Sequence, residues 1–349
     1  MIRLLRRVAP IAFSFILIVP LIGAAPPPIL PLSERVTFPS ADDKTMLVGY
    51  VFRPPGAHAA RMPAVVMMHG RAGAYSAAAD GDYSATTLSR RHQQWGHLWA
   101  QQGYLAILVD GFGPRGYPQG FPRFSYDSRP DTLNEVTVRP LDAYGALAWL
   151  RQRDDVIPDR IALQGWSNGG SAALATMGSV SAPGIPALTP VTGFRGALVF
   201  YPACGLKGQF DDGIVPYAPV RVFQGSSDEE VSPRRCADLV DKSRARSGNI
   251  QITFYPGATH DFDDPGKHRH DVPANAAAAE DATPRAVAFF ASVLNAKPPQ
   301  DRVLRSQATS CRLGRIAIKP HSGRSQTPEV VEASNAREFV EANGMSRLL

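Results

Sequence analysis

From Glu34 onward, short apolar runs alternate with stretches whose apolar positions recur at helical spacing. That rhythm predicts a mostly parallel sheet covered by helices on both faces. "ERVTFPS" (34–40) and "TMLVGYVFRP" (45–54), joined by the polar "ADDK", predict an opening hairpin. "MPAVVMMHG" (62–70) carries Val65, Val66, Met67 and Met68 in unbroken succession, which predicts a strand buried on both faces. A helix over 92–103, stopped by Gly103, leads to the strand "YLAILVD" (104–110). Next come a helix over 141–153, the strand "RIALQGW" (160–166) and a helix over 168–178. Strands at 196–202, 220–225 and 250–257 complete about eight, with further helices near 233–246 and 284–295. The long loop "GFGPRGYPQGFPRFSYDSRPD" (111–131) is dense in glycine, proline and aromatic residues, and loops of this length in a compact domain carry function or disorder.

Both ends depart from this rhythm. Residues 1–25 place Arg3, Arg6 and Arg7 before an apolar run from about Val8 to Ile22, followed by small residues and Pro26 to Pro28. This is the layout of a secretory signal, with cleavage expected after Ala24, since a proline just after the cut blocks processing. The alternative is an uncleaved anchor, for which the run is short and interrupted by Pro10 and Pro20. Either way the remainder is expected to be periplasmic or secreted, without stable membrane insertion once the signal is removed. Residues 26–297 are read as one α/β domain. Residues 298–349 are read as a largely disordered extension with a short helix near 330–342.

Composition refines this picture. With 44% hydrophobic and 19% charged residues, the chain of 349 residues can bury a large core. The net charge of +6 suggests a polyanion partner until it is located along the chain. The three arginines of the leader and a surplus of three basic residues after Pro299 account for all of it. The folded part is therefore near neutral, which argues against nucleic acid as a partner. Three cysteines in an exported protein permit one disulfide. Cys204 and Cys236 are the candidate pair, though spacing cannot show that they meet, and Cys311 lies in the tail.

The candidate chemistry centres on "LQGWSNGGSAALA" (163–175). A serine hydroxyl attacks a carbonyl only when a base takes its proton, so the chain must present it on a sharp turn. Gly165-Trp166-Ser167-Asn168-Gly169 fits such an elbow, and although the pattern alone is weak, here it follows a predicted strand and opens a predicted helix. The backbone N–H of Asn168 is one expected oxyanion donor, and that of Arg71, in "HGRAG", is the second. His69 is read as a buried imidazole that steadies this loop. The orienting acid and the base should follow in chain order, each just past a strand end. Asp228 stands three residues beyond Gly225, and His260 three residues beyond Gly257. Glu229 and Glu230 compete with Asp228 for the role of acid, as do Asp261, Asp263 and Asp264. His260, His268 and His270 lack fixed ligand spacing, so "HDFDDPGKHRHDVPANAAAAED" is read as a solvated loop and no metal is expected.

In that order, "VTFPSADDKTMLVGYVFRP", "VVMMHGRAG", "GFGPRG", "GWSNGG", "GSSDEEVSP" and "GATHDF" resemble the dienelactone hydrolase family of α/β-hydrolases over roughly residues 34–296. The resemblance implies a single α/β-hydrolase domain, a triad of nucleophile, acid and base on Ser167, Asp228 and His260, no cofactor, and hydrolysis of a small ester or lactone. The namesake enzymes use cysteine where this chain has Ser167, so the expectation is a general carboxylic-ester hydrolase rather than an enzyme for dienelactone itself. Arg115 is a candidate either for contacting an acidic substrate or for pinning its loop, and Trp166 is a candidate substrate contact. Two alternatives stand beside this reading: a prolyl-oligopeptidase-like peptidase, which shares the triad order, and a scaffold that binds a ligand without catalysis. The oligomeric state is open.

Overall fold

The computed structural model describes residues 31–56, 61–178 and 188–296. The expected signal, the C-terminal extension and Cys311 all lie outside the described residues. The strands are β1 (Glu34–Pro39), β2 (Met46–Phe52), β3 (Met62–Met68), β4 (Leu105–Asp110), β5 (Val156–Trp166), β6 (Ala197–Phe200), β7 (Val220–Gly225) and β8 (Ile250–Tyr255). They form one sheet in the order β1-β2-β4-β3-β5-β6-β7-β8. β1 and β2 pair as the predicted hairpin, β2 joins β4 antiparallel, and the other pairings are parallel. With its helices this is the α/β-hydrolase fold.

The unbroken apolar strands are explained by a core on each face. In β3, Val66 and Met68 belong to one cluster, and Val65 and Met67 to the other, because successive side chains point to opposite sides. Helices α2 (Arg139–Arg151), α3 (Asn168–Met177) and α4 (Pro233–Ala245) bury apolar residues in the first cluster. Helices α1 (Arg90–Gln101) and α6 (Pro273–Leu294) do so in the second, where Trp95, Trp99, Trp166, Phe200 and Phe290 meet. Each large aliphatic or aromatic side chain so buried contributes roughly 1.5–3 kcal/mol relative to exposure. Serines start two of the helices: Ser89 Oγ accepts from the His92 N–H, and Ser232 Oγ from the Arg235 N–H.

Two expectations about elements change. The last helix begins at Pro273, well before residue 284, and runs through Pro284. The run "ANAAAAEDA" is a strong helix former, and the aspartates and histidines before it mask that signal in the sequence. A four-residue helix, α5 (Lys267–His270), precedes it. The long loop after β4 also has local order, with short 3-10 turns at Gly113–Arg115, Tyr126–Ser128 and Asp131–Leu133.

Candidate active site

Ser167 sits on the turn between β5 and α3, with φ 50° and ψ −117°, a conformation rare for any residue with a side chain. The turn closes only because its neighbours are glycines. A Cβ on Gly165 would lie 2.2 Å from the Gly169 carbonyl oxygen, and one on Gly169 would lie 2.1 Å from that of Met68. The Ser167 N–H donates to the Phe200 carbonyl at 2.9 Å, which anchors the elbow to β6.

His260 reaches this serine from the loop after β8. Its Nε2 is 2.9 Å from Ser167 Oγ, and its Nδ1 is 2.8 Å from Asp228 Oδ2. An ionised carboxylate only accepts, so Nδ1 carries the proton and Nε2 accepts from the hydroxyl. Asp228 is itself fixed by donors from the Gln224 side chain and from the backbone N–H groups of Glu230 and Val231, each at 2.9 Å. Burial alone depresses the His260 imidazolium, but the hydrogen bond to Asp228 and the charges of Asp261, Asp228 and Glu230 outweigh it and raise its pKa above the ordinary value.

The acids that competed in sequence are sorted by contact. Glu229 accepts the backbone N–H of His260 at 2.9 Å and binds Arg269 at 2.8 Å. Glu230 holds Arg71 through two bonds of 2.7 and 2.8 Å and comes within 3.9 Å of His260 Nε2. Asp261 pairs with Arg91. Asp263 accepts from the indole N–H groups of Trp95 and Trp166, each at 2.8 Å, and from the Tyr201 hydroxyl. Tyr201 in turn lies against the His260 ring, with centroids 4.7 Å apart. Among the described residues, Glu230, His260 and Asp261 come close enough together to share a cation. Their donor atoms already serve Arg71, Ser167 and Arg91, while His268 and His270 are exposed on α5.

The "HGRAG" loop lies against the serine, since a Cβ on Gly70 would approach the Ser167 Cβ to 3.3 Å. Among the described residues, the backbone N–H groups of Arg71 and Asn168 donate to no protein acceptor. The second is free because the first turn of a helix leaves its N–H groups unpaired. His69 has no exposed surface; its Nδ1–H donates to the Gly70 carbonyl at 2.7 Å and its Nε2 accepts from the Gly111 N–H at 3.2 Å. Burial, reinforced by the Arg139 charge, holds its pKa well below the ordinary value.

A cavity of about 470 Å³ opens beside Ser167, Asn168 and Arg71. Its far walls come from the loop after β4, through Tyr126 and Arg129, and from the segment after β6, through Cys204 and Lys207. A disulfide joins Cys204 to Cys236 and ties that segment to α4. The Lys207 ammonium stands 4.0 Å from the centre of the Tyr126 ring. Sequence reasoning missed these wall residues; the aromatic density of the loop was its signal, but which side chains turn inward depends on its 3-10 turns.

Two candidates do not face the cavity. Arg115 is the loop pin: it donates to both oxygens of the fully buried Asp142 at 2.9 and 2.8 Å and to the Gly111 carbonyl at 2.7 Å. A buried carboxylate needs such a partner, which leaves this guanidinium unavailable to a substrate. Trp166 is fully buried in the second core cluster, because alternation along β5 turns it away from the serine's side of the sheet.

The dienelactone hydrolase family model matches residues 47–294. A probable 2-oxo-3-(5-oxofuran-2-ylidene)propanoate lactonase from a Bradyrhizobium species is 25% identical over 165 residues, which is 47% of this chain and 64% of that protein. The match thus spans a little under two-thirds of the relative. Thermogutta terrifontis esterase 2, solved in a form phosphorylated by paraoxon, shares the fold with a TM-score of 0.52 at 20% identity, over 76% of this chain and 98% of that one. A dienelactone hydrolase-like promiscuous phosphotriesterase from metagenomic libraries does so with a TM-score of 0.54 at 18% identity, over 75% and 98%.

Proposed function

Because the chain belongs to the dienelactone hydrolase family, we propose that it is an exported serine hydrolase of carboxylic esters or lactones, with Ser167 as nucleophile, His260 as base and Asp228 as orienting acid. The observation that carries this reading is the hydrogen-bonded series from Asp228 through His260 to Ser167 beside a cavity. His260 Nε2 takes the hydroxyl proton as Ser167 Oγ attacks the carbonyl carbon, and the imidazolium that forms is stabilised by Asp228. The free N–H groups of Arg71 and Asn168 receive the oxyanion. His260 then protonates the leaving alcohol, and water, deprotonated by the same imidazole, releases the acid from the acyl-enzyme.

Arg129, Lys207 and Arg235 at the cavity support a preference for substrates that carry a carboxylate away from the scissile bond. Export is supported by the N-terminal pattern and by the Cys204–Cys236 disulfide. Hydrolysis of a half-ester such as monophenyl succinate, beside that of phenyl butyrate, by the parent and by Ser167→Ala tests the reading. The variant should lose about 10⁴-fold or more in kcat, and the parent should favour the charged ester. Parental rates from the variant would remove Ser167 from its role.

A further inference from the structure

One buried charge near the site has no part in the proton transfers above. Arg139, the first residue of α2, has no exposed surface. Its Nη1 donates to the His69 carbonyl oxygen at 2.8 Å and to the Asn168 side-chain oxygen at 2.7 Å. These acceptors belong to the two segments that carry the free N–H groups: Arg71 follows His69 by two residues, and Asn168 bears the other donor itself. A single guanidinium thus spans two loops that are distant in the chain. The Asn168 amide is held on its other side by Glu135, at 3.4 Å, and Glu135 accepts from the Tyr126 hydroxyl on the cavity wall.

The rest of Arg139 is poorly provided for. Its Nε and Nη2 have no hydrogen-bond partner among the described residues, and its plane lies over the Phe112 ring, 4.9 Å from the centroid. The nearby Asp142 is already held by both arms of Arg115. Burial pushes the Arg139 pKa down to about 10, which leaves it protonated at neutral pH. A buried cation with unsatisfied donors weakens a fold that an apolar side chain of the same size would serve at least as well. The contacts it does make fall on the two segments that carry the oxyanion donors, and its role is to be sought there.

Resting on the assignment of Ser167 as nucleophile, we propose that Arg139 is the positioning residue of the oxyanion site, holding the Arg71 and Asn168 donors at a fixed separation and placing a water-shielded positive charge near them, set among the carboxylates of Asp142, Glu135 and Asp110. Donors fixed in advance stabilise the developing oxyanion without reorganising when it forms, so the benefit falls on the transition state and not on the bound ester.

The test uses Arg139→Met, which keeps length and removes charge and donors, with Arg139→Lys as the conservative variant. Active sites are counted by fluorophosphonate titration. Per titrated site, kcat in Arg139→Met should fall roughly tenfold to hundredfold with KM little changed. Affinity for phenylboronic acid, whose adduct with serine is a tetrahedral anion, should weaken by a similar factor, while inhibition by the product acid stays constant. Arg139→Lys should recover part of both losses. A purely structural role would lower the melting temperature and the number of titratable sites without separating boronate from product binding. Parental kcat and boronate affinity in Arg139→Met would overturn the proposal. Should that variant not fold, Asn168→Leu keeps the backbone donor and deletes one tie; it should show the same separation, and parental values there would overturn the proposal equally. Ser167→Ala distinguishes the two levels: if it hydrolyses ester at the parental rate both readings fall, and if it is inactive while Arg139→Met is parental only this one does.

Discussion

Two histidines stand past carboxyl ends of strands in this sheet, both almost wholly buried, and their surroundings drive them in opposite directions. His69 hydrogen-bonds only a backbone carbonyl and a backbone N–H, with the Asp110 carboxylate 3.8 Å from Nε2 and the Arg139 cation nearby, and burial and that cation hold its pKa well below the ordinary value. His260 faces Asp228 on one nitrogen and Ser167 on the other, with Asp261 and Glu230 around it, and its pKa is raised. Burial is common to the two, so burial does not make a base. What does is a carboxylate hydrogen-bonded directly to a ring nitrogen, which His260 has and His69 lacks, together with the balance of charge around the ring.

Exchanging the roles by mutation breaks the comparison most sharply. His260→Ala should cut kcat for ester hydrolysis by about 10⁴-fold or more while the protein stays folded, as measured by steady-state kinetics beside thermal melting. His69→Ala should do the reverse. Loss of the acceptor for the Gly111 N–H and of a packed ring should remove about 1–3 kcal/mol of stability in a urea titration. Its kcat per folded molecule should change far less than that of His260→Ala. Equal kinetic losses in the two variants would end the distinction.

The smallest effect lies in the pH profile. Only the neutral His260 imidazole can accept the Ser167 proton, so kcat/KM should rise with pH through a midpoint above about 6.5, the ordinary histidine value. Glu230 favours the imidazolium, so Glu230→Gln should move that midpoint to lower pH. A midpoint that stays in place, or moves upward, would show that the Glu230 charge is not felt at the ring.

The site was legible in sequence to different depths. Gly165 and Gly169 announce the turn around Ser167 because a Cβ at either would lie 2.2 or 2.1 Å from a carbonyl oxygen, closer than any side chain can come. Asp228 and His260 could be ranked by their distance past a strand end. Asp228, Glu229 and Glu230 are chemically near-equivalent in sequence, however, and only their contacts assign one to the imidazole, one to a backbone N–H and one to Arg71. Sequence left Arg115 between substrate contact and loop pin, and only its bonds to Asp142 decide for the pin; Trp166 misled because being next to a motif says nothing about which face of a strand a side chain takes. Arg139 gave no signal, since its partners are a carbonyl and an amide from segments remote in the chain.

The apolar runs and their spacing determined by themselves that this chain forms eight strands between helices, because hydrophobic periodicity is a local property that each segment carries whole. Glycines in the elbow and the order of serine, aspartate and histidine determined where a site could be built. Which acid meets the imidazole, which arginines face the cavity and which are locked, and whether Cys204 meets Cys236 were decided only in the folded chain. Those outcomes depend on distances of a few ångströms between segments that only the packed sheet brings together, and electrostatics and hydrogen bonding act at that range.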